Sequence, residues 1–335
     1  MIIGSRGSKL ALWQAHLVCD GLLMDHNAVR VIHTAGDKDT LSALHSFGTV
    51  GVFTKALDDA LLNGEIDLAV HSLKDYPTQP PENLVIIAYL RRDDPRDVFI
   101  PGSQEDGNVL TGSPRRALQW KQRYPEATIS ELRGNMDTRL KKCIDSAGGI
   151  LSKAGLERID LLPKDAEVLD WMVSAPGQGC IAVVMRKDHP QHQIIRKKLN
   201  HGQTETCVSI ERSSMRAIEA GCSVPLGIEV KRDDLTYSVR GIRFVEGQEK
   251  AFQFQSLMDG KKDDKKVVKA IVQALAPSGK RKNAKLLYGR EPSCFVNDFL
   301  ESNGVDVDFV RTLSAEGIVS DSPINVDGKS LIITS

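Results

Sequence analysis

Residues 66–77 read Ile66-Asp67-Leu68-Ala69-Val70-His71-Ser72-Leu73-Lys74-Asp75-Tyr76-Pro77. A short apolar run, Ile66 to Val70, gives way at once to polar residues, and Pro77 has no amide hydrogen with which to prolong regular structure. This is the pattern of a buried strand whose carboxyl end opens into a loop. The same grammar extends towards the N-terminus. Ile2-Ile3 predicts a strand, and Ser8 is a suitable N-cap for a helix carrying Leu10, Trp13, Leu17, Val18 and Leu22 at helical spacing. Val29-Arg30-Val31-Ile32 predicts a second strand, and a helix from Thr54 through Ala60-Leu61-Leu62 closes near Gly64. The βαβαβ order predicts an α/β fold with a mostly parallel sheet and helices on both faces. Ligands in such folds sit beyond the carboxyl ends of the strands.

Towards the C-terminus, Asp93-Asp94-Pro95-Arg96-Asp97 interrupts the pattern and reads as a crossover. Residues 98–175 then repeat it, with strands Val98-Phe99-Ile100 and Ala127-Thr128-Ile129, a helix starting Pro114-Arg115-Arg116 and another over 135–144. A second break, Ser174-Ala175-Pro176-Gly177-Gln178-Gly179, leads into the apolar strand Cys180-Ile181-Ala182-Val183-Val184. A chain that crosses back there makes a hinged pair of α/β lobes flanking a cleft. Further on, a helix over 204–220, strands near 224–230, 235–242 and 251–256, and a helix near 263–276 suggest a third, α+β domain. The expected division is therefore 1–94 with 180–200 (domain 1, carrying Asp75), 98–175 (domain 2, a basic cleft wall) and 203–335 (domain 3, carrying Cys222, extended from about 283).

The 335 residues, 41% hydrophobic and 26% charged, suffice for two or three domains with their own cores and exclude disordered, collagenous and coiled-coil classes. Lys plus Arg and Asp plus Glu each number 44, so a global basic field for nucleic acid is excluded while a local one is not. No apolar run approaches the roughly 20 residues of a membrane span, and the opening Met1-Ile2-Ile3-Gly4 has no leader character, so a cytoplasmic, membrane-free protein is expected. Cys19, Cys143, Cys180, Cys207, Cys222 and Cys294 form no CxxC pair and no Cys/His cluster at metal-ligand spacing. Disulfides and zinc are not expected, and the ordinary reading of each thiol is a buried small hydrophobe.

Charge is nevertheless uneven. Between residues 111 and 142 there are eight basic residues against three acidic ones, an excess of +5. Arg115-Arg116 at a helix N-terminus runs against the dipole preference, which points to an anion site built from helix amides and guanidinium forks. The polar residues after Val70 fall at a strand's carboxyl end, where a carboxylate beside bases can stabilise a developing cation or handle a proton. Glu219-Ala220-Gly221-Cys222-Ser223-Val224-Pro225 places a Cys beside Gly in a loop after a helix, accessible to attachment of a group. Neither GxGxxG nor a Walker sequence is present, so nucleotide chemistry has little support.

Taken in order, these segments resemble the hydroxymethylbilane synthase (porphobilinogen deaminase) family. The resemblance covers about residues 2–258: Gly4-Ser5-Arg6-Gly7-Ser8-Lys9-Leu10-Ala11, Gly36-Asp37, Phe53-Thr54-Lys55-Ala56-Leu57, 71–77, Asp94-Pro95-Arg96-Asp97, Ser113-Pro114-Arg115-Arg116, 133–140, Ala154-Gly155-Leu156-Glu157-Arg158, Pro176-Gly177-Gln178-Gly179 and Gly221-Cys222-Ser223-Val224-Pro225. It implies two periplasmic-binding-protein-like lobes and a third domain. It implies a dipyrromethane cofactor on a thioether to Cys222, and stepwise condensation of four porphobilinogens with loss of ammonia before hydrolytic release of hydroxymethylbilane. Asp75 matches the family's catalytic aspartate. Arg6, Ser8, Ser72, Lys74, Ser113, Arg115, Arg116, Arg133 and Gly134 match its cofactor-binding positions; Arg6, Lys55, Arg139, Arg158 and Gln178 match its substrate-binding ones. Each porphobilinogen carries acetate and propionate, which planar guanidinium forks suit. Loss of ammonia leaves a cation that a carboxylate can balance. A monomer without metal, nucleic acid or membrane partner follows from the same resemblance.

The chain departs from the family's pattern in Gly48-Thr49-Val50-Gly51-Val52-Phe53, which lacks a usual Lys, and in Leu110, Gly112 and Ala220. Residues 283–335 exceed the family's usual length. Their order of strand 285–288, helix 294–300, strand 305–310 and Leu331-Ile332-Ile333 faintly resembles the start of uroporphyrinogen-III synthase, and a simple extension of the third domain explains them as well. Two hinged lobes also describe solute receptors, so a non-catalytic receptor for an anion is the rival reading, with a nucleic-acid module a distant third.

Overall fold

The computed structural model describes residues 1–33, 54–104, 107–218, 224–233, 236–245, 251–259 and 263–275, with the backbone of strands at 285–287, 320–326 and 329–334. Cys222, Gly36-Asp37, Gly48 to Phe53, and the expected helix 294–300 and strand 305–310 lie outside the described residues. The chain begins β1 (Ile3–Ser5), α1 (Lys9–Leu22), β2 (Val29–Val31), α2 (Lys55–Leu62), β3 (Leu68–Ser72), a 3₁₀ turn (Leu73–Asp75) and β4 (Leu84–Tyr89). Ser8 Oγ accepts from the Ala11 amide at 3.3 Å and so caps α1, which ends where Leu23 turns left-handed at φ 59°. The buried stripe is Gln14, Ala15, Val18, Cys19 and Leu22. Leu17, expected inward, is 38% exposed because the helical period gives that face to Ala15 and Cys19.

Next come β5 (Asp97–Pro101), β6 (Asn108–Leu110), α3 (Pro114–Arg123), β7 (Thr128–Ser130), α4 (Met136–Ile144), β8 (Gly148–Ser152), α5 (Lys153–Glu157) and β9 (Glu167–Val168). They form a five-stranded sheet of order β7-β6-β8-β5-β9. The chain then returns through β10 (Ile181–Arg186) and α6 (His192–Leu199), and β10 completes the first sheet, β2-β1-β3-β10-β4. Four strands of this sheet, β1, β2, β3 and β4, point the same way, as expected, and β10 alone runs against them. β1 runs parallel to β2 and β3, but β10 is antiparallel to both β3 and β4. The cause is the crossover: the chain re-enters at the end where β3 leaves, with the Leu73 amide donating to Cys180 O at 2.9 Å, and can only run back against it.

Helices cover both faces of the first sheet. Ile3, Val70, Val183 and Met185 pack with Val18 and Leu22 of α1; Ala69 and Val184 pack with Leu57 and Leu61 of α2. The two crossovers lie side by side, the Asp93 amide donating to Gly179 O at 3.2 Å. Gly179 has φ +83°, and a Cβ there would stand 2.6 Å from Asp93 O, so the approach requires glycine.

The remaining unit is α+β: α7 (Gly202–Ala217), an antiparallel meander of β11 (Leu226–Arg232), β12 (Thr236–Arg243) and β13 (Phe252–Asp259), and α8 (Asp264–Leu275). Ile210, Ile228, Val230, Val239, Val267 and Ile271 form its core. Each such side chain stabilises by roughly 1.5–3 kcal/mol on burial. A last sheet, β14 (Lys285–Leu287), β15 (Ser320–Val326) and β16 (Lys329–Thr334), has the order β14-β16-β15. The architecture is two α/β lobes flanking a cleft plus an α+β unit. Cys19, Cys143, Cys180 and Cys207 are free and buried, as small hydrophobes.

Candidate active site between the lobes

The turn after β3 buries Leu73 and Tyr76 and leaves Asp75 exposed. Lys74 Nζ donates to Gln178 Oε1 at 3.3 Å across to the second crossover. Burial lowers the Lys74 ammonium to about 8, with Asp75 raising it and Arg116 lowering it. On the same side, burial and the Arg6 charge push His71 down to about 3, so its imidazole is neutral, and its buried Nε2 has no hydrogen-bond partner.

Opposite stands the start of α3, whose N-cap residue Ser113 makes no side-chain capping bond. Arg115 and Arg116 are buried and turn inward onto Asp97, the fully buried first residue of β5. Arg115 Nη1 lies 2.8 Å from Asp97 Oδ2, and Arg116 Nη2 lies 2.8 Å from Oδ1. Gln178 Nε2 donates to the same Oδ1 at 2.8 Å and to Pro95 O at 2.6 Å. Burial alone would raise the Asp97 carboxyl, but the two guanidinium groups outweigh it and hold the acid well below the usual carboxylate range.

Arg115 and Arg116 are thus already engaged within the protein. Arg116 gives Nε to Asp97, Nη1 to Ile150 O and Nη2 to Asp97 and Gln178. Arg115 donates Nη1 to Val173 O at 2.6 Å and pairs with Asp97, and its buried Nε has no hydrogen-bond partner. Two cations at a helix N-terminus need a counter-ion, and the protein supplies its own.

Arg139 of α4 donates from Nε to Gly134 O at 2.7 Å. Burial lowers its guanidinium, and the charges of Arg116, Asp75, Arg133 and Arg6 act on it in turn. Arg133 pairs with Glu131. Gly134 has φ +115°, and a Cβ there would meet Thr138 Cγ2 at 2.9 Å, so the turn into α4 requires glycine. Arg6, Lys74, Arg115, Arg116, Arg133 and Arg139 against Asp75, Asp97 and Glu131 are six cations to three carboxylates, a local excess of +3.

Other residues singled out in the sequence have different partners. Ser8 caps α1, and Ser72 Oγ accepts from Gln14 Nε2 at 2.9 Å. Arg158 turns into the seam between lobes: Nε donates to Asp93 at 2.8 Å, Nη2 to Gly179 O at 2.6 Å, and its guanidinium lies 5.8 Å from the Trp13 ring centre. Gln178, 1% exposed, joins the two walls from below instead of opening to the cleft. Lys55 is the exposed first residue of α2. Asp97, Glu211 and Arg212, all buried and polar, have no role legible in the sequence. The only signal was a charged residue in an otherwise apolar strand or helix face.

The family model for porphobilinogen deaminase, dipyromethane cofactor binding domain, matches residues 1–194. The chain belongs to the porphobilinogen deaminase family. It is 37% identical over 252 residues to the porphobilinogen deaminase of Chloroherpeton thalassium, covering 71% of this chain and 80% of that one. It is 39% identical over 254 residues to that of Rubrobacter xylanophilus (72% and 83%) and 40% over 253 residues to that of Desulforamulus reducens (70% and 81%). Among solved structures, a periplasmic His/Glu/Gln/Arg/opine family-binding protein from Silicibacter pomeroyi gives a TM-score of 0.29 at 12% identity over 64% of this chain and 89% of that one, too loose to bear on the argument. Family membership makes the chain an enzyme, a transferase of tetrapyrrole synthesis with hydroxymethylbilane synthase activity, and its N-terminal part the dipyrromethane-binding domain.

The residues present fit that cofactor. Its rings carry carboxylates, and the cleft offers the +3 excess, the unpartnered Nε of Arg115, the Ser113 hydroxyl outside any capping bond and the start of α3. Among the described residues, no His/Cys/Asp/Glu group could hold a metal and no helix is long and apolar enough to cross a membrane.

Proposed function

We propose that the chain condenses porphobilinogen head to tail with Asp75 as its catalytic carboxylate and Cys222 as the thioether attachment point of the cofactor. When bound, the dipyrromethane supplies a terminal pyrrole carbon as nucleophile. Arg6, Lys74, Arg133 and Arg139 bind the acetate and propionate groups of incoming porphobilinogen. Arg115 and Arg116, held by Asp97, contribute a fixed positive field more than direct contacts. Asp75 accepts a hydrogen bond from the substrate pyrrole N–H and balances the cation left when ammonia departs. It then accepts the proton lost from the attacked pyrrole carbon, whose departure restores that ring's aromaticity once the new carbon–carbon bond has formed.

The observation that carries this reading is the exposed Asp75 carboxylate at a turn whose neighbours Lys74 and Arg139 both feel its charge. Asp75→Ala should fold and lose nearly all turnover; near-normal activity would remove Asp75 from the mechanism. For Cys222, intact mass should show a dipyrromethane-sized adduct that Cys222→Ser lacks, and Ehrlich's reagent should colour only the unsubstituted protein. The sheets favour three units, 1–94 with 180–200, 98–175 and 203 onward. We take the enzyme as a cytoplasmic monomer with no nucleic-acid partner, in keeping with its neutral net charge.

A further inference from the structure

We propose that Arg212 of α7 is a positioning residue for Asp75. The turn Leu73–Asp75 is only three residues long, and Pro77 ends it without an amide hydrogen. Its carbonyls leave the sheet with no strand to receive them. Arg212, 8% exposed, reaches the turn and donates to carbonyls at and after it, of which Leu73 O also accepts from the Tyr76 amide at 3.1 Å. Nη1 donates to Tyr76 O at 3.0 Å and to Leu73 O at 3.5 Å, and Nη2 donates to Pro77 O. These three carbonyls bracket Asp75. The Tyr76 side chain anchors the same turn from the other side, its hydroxyl donating to buried Asp58 Oδ1 at 3.3 Å.

The preceding residue extends the device. Glu211 is fully buried and receives both Nη atoms of Arg92 (2.6 and 3.2 Å), the Gly177 amide (2.7 Å) and the Val230 amide (2.8 Å). Arg92 belongs to the first crossover and Gly177 to the second. Adjacent residues of one helix thus hold the Asp75 turn and both strands that join the lobes, and α7 ends at Ala217, five positions before Cys222. Arg212 sets where the Asp75 carboxylate stands relative to that frame. A planar fork serving three carbonyls does this as a single ammonium cannot.

The inference rests on Asp75 carrying the chemistry, so the test runs on the complete holoenzyme with Asp75→Asn alongside. Arg212→Gln should lower kcat by about tenfold to a hundredfold with KM within about threefold, the signature of a misplaced reacting group. Arg212→Lys should recover part of that loss. Amide exchange at Tyr76, read without any turnover, should quicken by about tenfold or more in Arg212→Gln. As control, Arg196→Gln breaks an ion pair of 2.6 Å to Glu205 on the same helix and should change neither kcat nor Tyr76 exchange. Unchanged kcat or unchanged exchange in Arg212→Gln overturns the proposal, and if that variant does not fold, Arg212→Lys decides by the same two readings. Full activity in Asp75→Asn instead removes the catalytic reading itself, whatever the Arg212 variants do.

Discussion

Asp75 and Asp97 flank one basic cluster and are opposites in every physical respect. Asp75 is exposed at the tip of a turn and makes no side-chain hydrogen bond to a described residue. Asp97 is fully buried and gathers Arg115, Arg116 and Gln178 around one carboxylate. The difference shows how a cationic site is kept ready without a ligand. The inner acid pins the guanidinium groups so that their field costs no reorganisation when charge develops, and the outer acid stays available to what enters.

The sharpest way to break this contrast is to neutralise each acid. Asp97→Asn leaves two buried cations short of a counter-charge and should lower the unfolding free energy by about 3–5 kcal/mol in urea denaturation. Asp75→Asn should stay within about 0.5 kcal/mol of the parent yet lose about 10²–10⁴ in kcat. If the two variants behave alike, the division of labour is wrong. One step smaller, Arg139→Gln should raise KM for porphobilinogen about tenfold at unchanged melting temperature, while Arg116→Gln should lower the melting temperature.

Lys74 gives a pH reading of the open side. Burial lowers its folded-state value to about 8, so the charged form is lost as pH rises through that value, and kcat/KM of the free enzyme should fall on the alkaline side. Lys74→Arg, which keeps its proton, should move that limb to higher pH. The smallest effect belongs to the cap of α1: Ser8→Ala should cost about 1 kcal/mol of stability by removing the bond to the Ala11 amide.

Local rules made much of this legible in the sequence. Ser8 before an apolar-periodic segment, Pro114 at a helix start and the apolar run before His71 each marked an element that is present. Strands β4 and β8 went unmarked in the sequence, and β10 runs against the other four strands of its sheet, because strand direction depends on where the chain re-enters and not on local pattern. Arg115-Arg116 was legible as a charge anomaly but not as an internal ion-pair knot, since its answer, Asp97, lies 18 residues earlier on another element. Glu211 and Arg212 left no sequence trace of their partners, which are mainly backbone groups far away along the chain.

The place of β10 also fixes an order of events during synthesis. The strands of the second sheet lie between residues 97 and 168, without interruption by the other lobe, whereas the first sheet has residues 181–186 between β3 and β4. A ribosome-bound chain that stops before Ile181 therefore carries the edges of β3 and β4 that face β10 unpaired, the kind of surface that invites aggregation and chaperone capture. The lobe that carries Asp75 is translated first and finished second.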